Sequence, residues 1–166
     1  SLDQLTQELP NAGSVSLVVS WFGDDLRCST CKIQPKVEQK LRDGVGMPWR
    51  AGGVSRAGAA QVPVVEGASI YGGTPADAAV IEAIRAIRAT GKEVMFYPFV
   101  LMDQVGGNTL PDPWSGAGSQ PPLPWRGRIT LSQAPGRAGT PDRTGAVSAE
   151  VATFFGNAQP NHFTVN

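Results

Sequence analysis

Apolar positions along this chain gather in a few short blocks separated by long Gly- and Pro-rich stretches, and each block has its own period. Leu2, Leu5 and Leu9 recur at near-helical spacing ahead of Pro10, Asn11 and Gly13, which predicts a short helix packed beneath the segments that follow. Val15–Trp21 (VSLVVSW) is β-branched and apolar with too little alternation for a sheet with one wet face. It predicts a buried strand, with Asp24 and Asp25 just beyond its C-terminal end. From Leu26 to Gln61 the pattern is broken by Pro35, Gly44, Gly46, Pro48, Gly52 and Gly53, an irregular excursion in which only Val37–Arg42 could make a turn of helix. Ala68–Tyr71, with Ile70 at its centre, is a second candidate strand running into Gly72 and Gly73.

The second half is more strongly patterned. Thr74, Pro75, Ala76 and Asp77 read as a Thr N-cap, a Pro at the first helical position and an acidic residue in the first turn. Val80, Ile81, Ile84 and Ile87 then form one apolar stripe, with Glu82, Arg85 and Arg88 facing away and Gly91 as the stop. Val94–Met102 (VMFYPFVLM) is apolar on both faces, the pattern of a parallel strand covered by helices, and ends in Asp103. Pro98 marks a bulge within it. A second long loop, 104–126, carries Asp112, Trp114 and Trp125. After a short β-like Ile129–Leu131, the cap signal recurs at Thr140-Pro141-Asp142, ahead of an apolar Ala146–Phe155 and a terminating Gly156. The alternation of strands and capped helices predicts an α/β fold with parallel strands.

Charge narrows the function classes. Lys plus Arg and Asp plus Glu are both 14, so no net field draws the chain to nucleic acid or an anionic membrane, and direct nucleic-acid binding is not expected. No apolar run approaches the roughly 20 residues that span a bilayer, and the N-terminus shows no charged region followed by an apolar one, so neither a transmembrane segment nor an export signal is expected. The only cysteines, Cys28 and Cys31, are spaced as a redox pair or half a zinc site. A second pair is missing and the one histidine, His162, is remote in sequence, so they read as two structural thiols, with no metal and no cofactor expected.

Longer phrases carry a resemblance. SLVVSWFGDDLRCSTCKIQPKVE, YGGTPADAAVIEAIRAIRATGKEVMFYPFVLMD, GNTLPDPW and PWRGRIT are similar to the TIM-barrel-like domain of gene transfer agent and phage tail-tip ("megatron", host-specificity) proteins, over nearly the whole chain. The resemblance implies that residues 1–166 are the N-terminal part of a (β/α)8 barrel with long βα loops, a glycoside-hydrolase-like module of a larger protein. Three strands cannot close such a barrel, typically about 250 residues, so further chain would be needed to cover its edges. It further implies residence in the tail tip or baseplate of a virion-like particle made in the bacterial cytoplasm. The partners would be other baseplate proteins, further copies within the particle, and a host cell-surface or peptidoglycan glycan.

In such a barrel, function collects at the C-terminal ends of the strands. Those ends hold Trp21, Asp24 and Asp25, then Tyr71, then Asp103. Carboxylates suit acid and nucleophile roles on a sugar, and aromatic faces stack on pyranose C–H surfaces. Asp103, Asp24 and Asp25 are thus the catalytic candidates, against capping and turn duty for each. Trp21, Tyr71, Trp114 and Trp125 are the substrate-binding candidates, against barrel interior for Tyr71 and an apolar clamp for the Trp114–Trp125 loop. Gly72-Gly73-Thr74 could hold an anion, although a tight turn explains it more simply. Three functions stand side by side: hydrolysis of an envelope glycan during attachment and DNA delivery, a barrel without turnover used for adhesion or baseplate architecture, and an unrelated α/β enzyme acting on a phosphorylated ligand.

Overall fold

A computed structural model describes residues 1–159 and 161; His162 lies outside the described residues. The elements in chain order are α1 (Leu2–Glu8), β1 (Ser14–Gly23), β2 (Ile33–Gln34), β3 (Lys36–Val37), β4 (Arg50–Ala51), β5 (Val54–Ser55), β6 (Ala60–Gln61), β7 (Val64–Val65), β8 (Ala68–Ser69), α2 (Asp77–Ala89), β9 (Glu93–Met102) and α3 (Ala146–Phe155), with a 3₁₀ turn at Arg126–Arg128. The chain forms two compact units. One contains residues 1–22 and 34–101, the other residues 23–33 and the chain from 102 onward.

In the first unit the two long strands lie side by side. The Glu93 N–H donates to Gly13 O (2.9 Å), and beyond the far end the Asp103 N–H donates to Gly23 O (3.3 Å). The sequence offset is the same at both ends, so β1 and β9 run parallel. The sheet order is β2-β1-β9, which makes β9 an edge. Residues 93 and 103 turn their N–H groups toward β1, so Pro98, of opposite parity, turns its nitrogen toward the open side. No ladder donor is lost and no bulge is needed, the usual accommodation of Pro in a sheet. Neither strand is buried along its length, contrary to their apolar composition. β1 alternates until Val19, while Met95 (58% exposed) and Phe96 (51%) of β9 remain open. α2 buries only Ile87, and α1 buries nothing.

Residues 34–76 build a small separate core. Val37, Trp49, Ala51, Ala59 and Ala76 pack together, with Val54 and Ala79 against them. Parallel β3–β6 and the antiparallel pair β4–β5 contribute to it, and a second antiparallel pair, β7–β8, follows in the chain. Both hairpins have two-residue turns with positive φ at both positions, Gly52 (54°)–Gly53 (81°) and Glu66 (52°)–Gly67 (81°), the turn geometry that matches strand twist. The Val37–Arg42 stretch is therefore strand and bends rather than a helical turn. The Ala68–Tyr71 candidate is half of a hairpin rather than a neighbour of β1.

The barrel expectation is overturned. Three helices and several small separate sheets make a mixed α/β fold, with no closed barrel among the described residues. The reason lies in the connections: the Gly- and Pro-rich excursion between β1 and α2 forms two-residue ladders with their own core, and the loop after β9 forms no strand, so no long strand extends the β1–β9 pair. Ile129–Leu131 likewise contributes only an isolated parallel bridge, Arg27 to Thr130.

Both helix-cap signals are also used differently. Thr74 is buried, and its hydroxyl accepts the Lys36 N–H (3.1 Å) while its carbonyl accepts the Trp49 indole N–H (2.7 Å). α2 instead starts at Asp77, whose carboxylate accepts the Gly52 N–H (3.0 Å). The Thr140 hydroxyl donates to Gln133 O (2.9 Å), and α3 begins only at Ala146. The stops are as expected, at Gly91 (φ 78°) and Gly156 (φ 57°).

Candidate functional site

Asp25 is 3% exposed in the second unit and meets five donors. Oδ1 accepts the Arg27 N–H (2.8 Å), Arg27 Nε (3.0 Å) and Gln120 Nε2 (2.7 Å); Oδ2 accepts an Arg27 terminal nitrogen (2.6 Å) and the Thr30 hydroxyl (2.8 Å). Burial alone would raise its pKa. The bonds from Arg27, Gln120 and Thr30 outweigh burial and hold the carboxyl below its ordinary value. A carboxylate filled in this way neither donates a proton to a leaving group nor has a lone pair free for attack.

Gln120 is the hub of this arrangement. Its Oε1 accepts the Leu26 N–H (3.0 Å) and Gln104 Nε2 (3.0 Å), and its Nε2 also reaches Pro111 O (3.0 Å). The loop 104–123 is thereby tied to the turn after β1. Within the network Gln104 Oε1 is buried without a partner. Asp24, half-buried, accepts the Lys32 N–H (2.7 Å), closing the 24–32 loop, and Asp103 is buried at the end of β9. Of the three catalytic candidates, the geometry gives Asp24 and Asp25 loop-holding roles.

The aromatic candidates divide. Trp21 rests on the Gly52 turn, where an added Cβ would come 2.6 Å from its ring, and Tyr71 packs 6.2 Å from the Phe22 ring. Trp114 and Trp125 remain 40% and 67% exposed. Both bond to residue 128: the Trp114 indole N–H donates to Arg128 O (2.7 Å), and the Arg128 N–H donates to Trp125 O (2.9 Å). The Arg128 guanidinium lies 5.6 Å over the Trp114 ring. Asp112 holds the start of this loop through the Trp114 N–H (3.1 Å) and the Ser115 hydroxyl (2.6 Å). Burial raises its pKa, but the Ser115 and Trp114 bonds outweigh burial and leave it lowered.

The cysteines are both buried and are not bonded to each other. Cys28 lies 3.8 Å from Glu150, which also accepts the Ser132 N–H (2.7 Å) and hydroxyl (2.6 Å) and so anchors α3. Burial, followed by the Glu150 charge, raises the Cys28 pKa; burial pushes Cys31 up to about 11. Thiols shifted in this direction are poor nucleophiles at neutral pH. Among the described residues no group of three His, Cys, Asp or Glu side chains could hold a metal.

Gln120, Arg27 and Glu150 were not singled out from the sequence. Gln120 sits among Gly, Ser and Pro in an aperiodic loop, and two of its partners, Asp25 and Leu26, lie more than ninety residues away, so no local signal marks it. No protein-family model matches the chain, and no curated protein matches it at a significant level.

Proposed function

We propose that this chain is a glycan-binding module in the tail tip of a gene transfer agent or siphophage-like particle, holding a host envelope glycan without cleaving it. The observation that carries binding is the pair of exposed tryptophans fixed around Arg128. The Trp125 indole, the more open of the two, offers a π face on which the C–H groups of a sugar stack. Asp25 argues against turnover, because its oxygens are committed to five donors. The tail-tip assignment rests on the long phrases quoted above. No helix among the described residues is long and apolar enough to cross a membrane.

Two measurements on one preparation test the proposal. Gold-labelled antibody to this chain should decorate the distal end of purified tails, and the chain should be retained on immobilised host envelope polysaccharide while releasing no reducing ends. Labelling confined to heads or absent from particles would defeat the location. Reducing-end release abolished by Asp103→Asn would replace binding with hydrolysis.

A further inference from the structure

We infer that the Trp114–Trp125 loop is a binding surface for an acidic polysaccharide whose repeating sugars carry carboxylates. This deepens the glycan-binding reading and rests on it. Three observations point to the surface. The first is the way Trp125 is held: an added Cβ at Gly127 would run into its ring, so the indole lies against bare backbone with its remaining surface in solvent. The 3₁₀ turn closed by the Arg128 N–H to Trp125 O bond (2.9 Å) fixes the backbone from which the ring projects. An indole set in place before binding loses little rotamer freedom when a sugar stacks on it.

The second observation is charge. The whole chain is balanced at 14 and 14, yet from Pro113 to Pro141 there is no Asp or Glu, while Arg126, Arg128 and Arg137 all fall there. Asp112, just before this stretch, is buried and bonded to Ser115 and Trp114, and its charge reaches the Arg128 guanidinium, so it offsets part of that cation without presenting an open carboxylate at the surface.

The third is the placement of those cations. Arg137 donates to Trp114 O (2.8 Å), and Arg128, exposed, lies over the Trp114 ring with its N–H on Trp125 O. A planar guanidinium on the same short turn as an open indole, three residues apart, matches a pyranose that offers a C–H face to the Trp125 ring and a carboxylate to the Arg128 fork. A nucleic acid fits less well: phosphate tracking needs a longer run of cations, and the balanced chain supplies no long-range attraction.

The test uses tryptophan fluorescence titration of the full chain with three probes: a hexamer of a 1,4-linked uronate, a neutral glucose hexamer, and a thymidine 20-mer. The uronate hexamer is expected to bind at least tenfold more tightly than the neutral one, with affinity falling as salt rises. Trp125→Ala should lose at least tenfold for the uronate, and Arg128→Gln should erase the preference for uronate over neutral sugar. Thermal melting of each variant, expected to match the parent, shows that the loss is not unfolding. Equal binding of both hexamers, with Trp125→Ala still weakening each, would overturn the acidic preference and leave glycan binding standing. No binding of either hexamer would overturn both readings. A thymidine 20-mer bound more tightly than the uronate would replace the glycan with nucleic acid.

Discussion

Asp25 and Trp125 belong to the same unit and both lie in loops, yet one is turned wholly inward and the other outward. Asp25 is surrounded by donors from Arg27, Thr30 and Gln120. Trp125, a residue whose large apolar area normally seeks a core, is held in solvent over Gly127. The contrast separates holding the fold from meeting a ligand. A buried, charge-paired carboxylate is costly to disturb and chemically closed, whereas an exposed ring on a fixed turn contributes little to stability and is open to contact.

The largest effect that can break this comparison is expected at Asp25. Asp25→Asn removes the charge opposite Arg27 and turns an amide donor toward donors already in place, at a cost of about 3 kcal/mol. Urea titration at pH 7 measures it, and a loss under about 0.5 kcal/mol would mean that the network is not structural. The pH dependence has a definite sign. Because the folded pKa is depressed, the Asp25 contribution is fully present above the unfolded carboxyl value and is lost as pH falls through the folded one. The variant should lack that acid-side component.

Next comes Cys31, another group turned inward. With its pKa at about 11, alkylation at pH 8 should run at least about twentyfold slower in the folded chain than in urea. Equal rates would show an open thiol. The raised value favours the neutral thiol in the folded state. Its contribution is therefore present below the unfolded thiol pKa and lost as pH rises through about 11.

A smaller effect sharpens the distinction between the aromatics. Gly52→Ala places a methyl group against the Trp21 ring at a positive φ and should cost about 1–2 kcal/mol by thermal or urea unfolding, marking Trp21 as packed rather than offered. The smallest is Trp125→Ala, expected to change stability by less than about 0.5 kcal/mol while abolishing most glycan retention. A large loss of stability there would move Trp125 to the structural side of the comparison.

How much of this was legible in the sequence differs by element. The long strands and the ends of α2 and α3 were, because a run of β-branched residues and a Gly at positive φ are local requirements. The cap motifs were misread because the same Thr hydroxyl that can cap a helix can equally bond a distant strand or carbonyl, and Thr74 and Thr140 do so. The β4–β5 and β7–β8 hairpins were missed because two-residue strands have no detectable period. At the site, Trp114 and Trp125 were legible as aromatics in a polar loop, but their exposure was not.

Residue order alone set the local pieces: which segments extend, where helices stop, and that two tryptophans fall in one Gly- and Pro-rich loop. Long-range packing decided that the two long strands lie side by side in a small three-stranded sheet instead of a barrel. It also decided that Asp25 is consumed by Gln120 and Arg27, and that Trp125 faces water. The physical reason is range. Dihedral preferences and periodicity act within a turn or two, whereas burial and hydrogen-bond saturation depend on partners almost a hundred residues away.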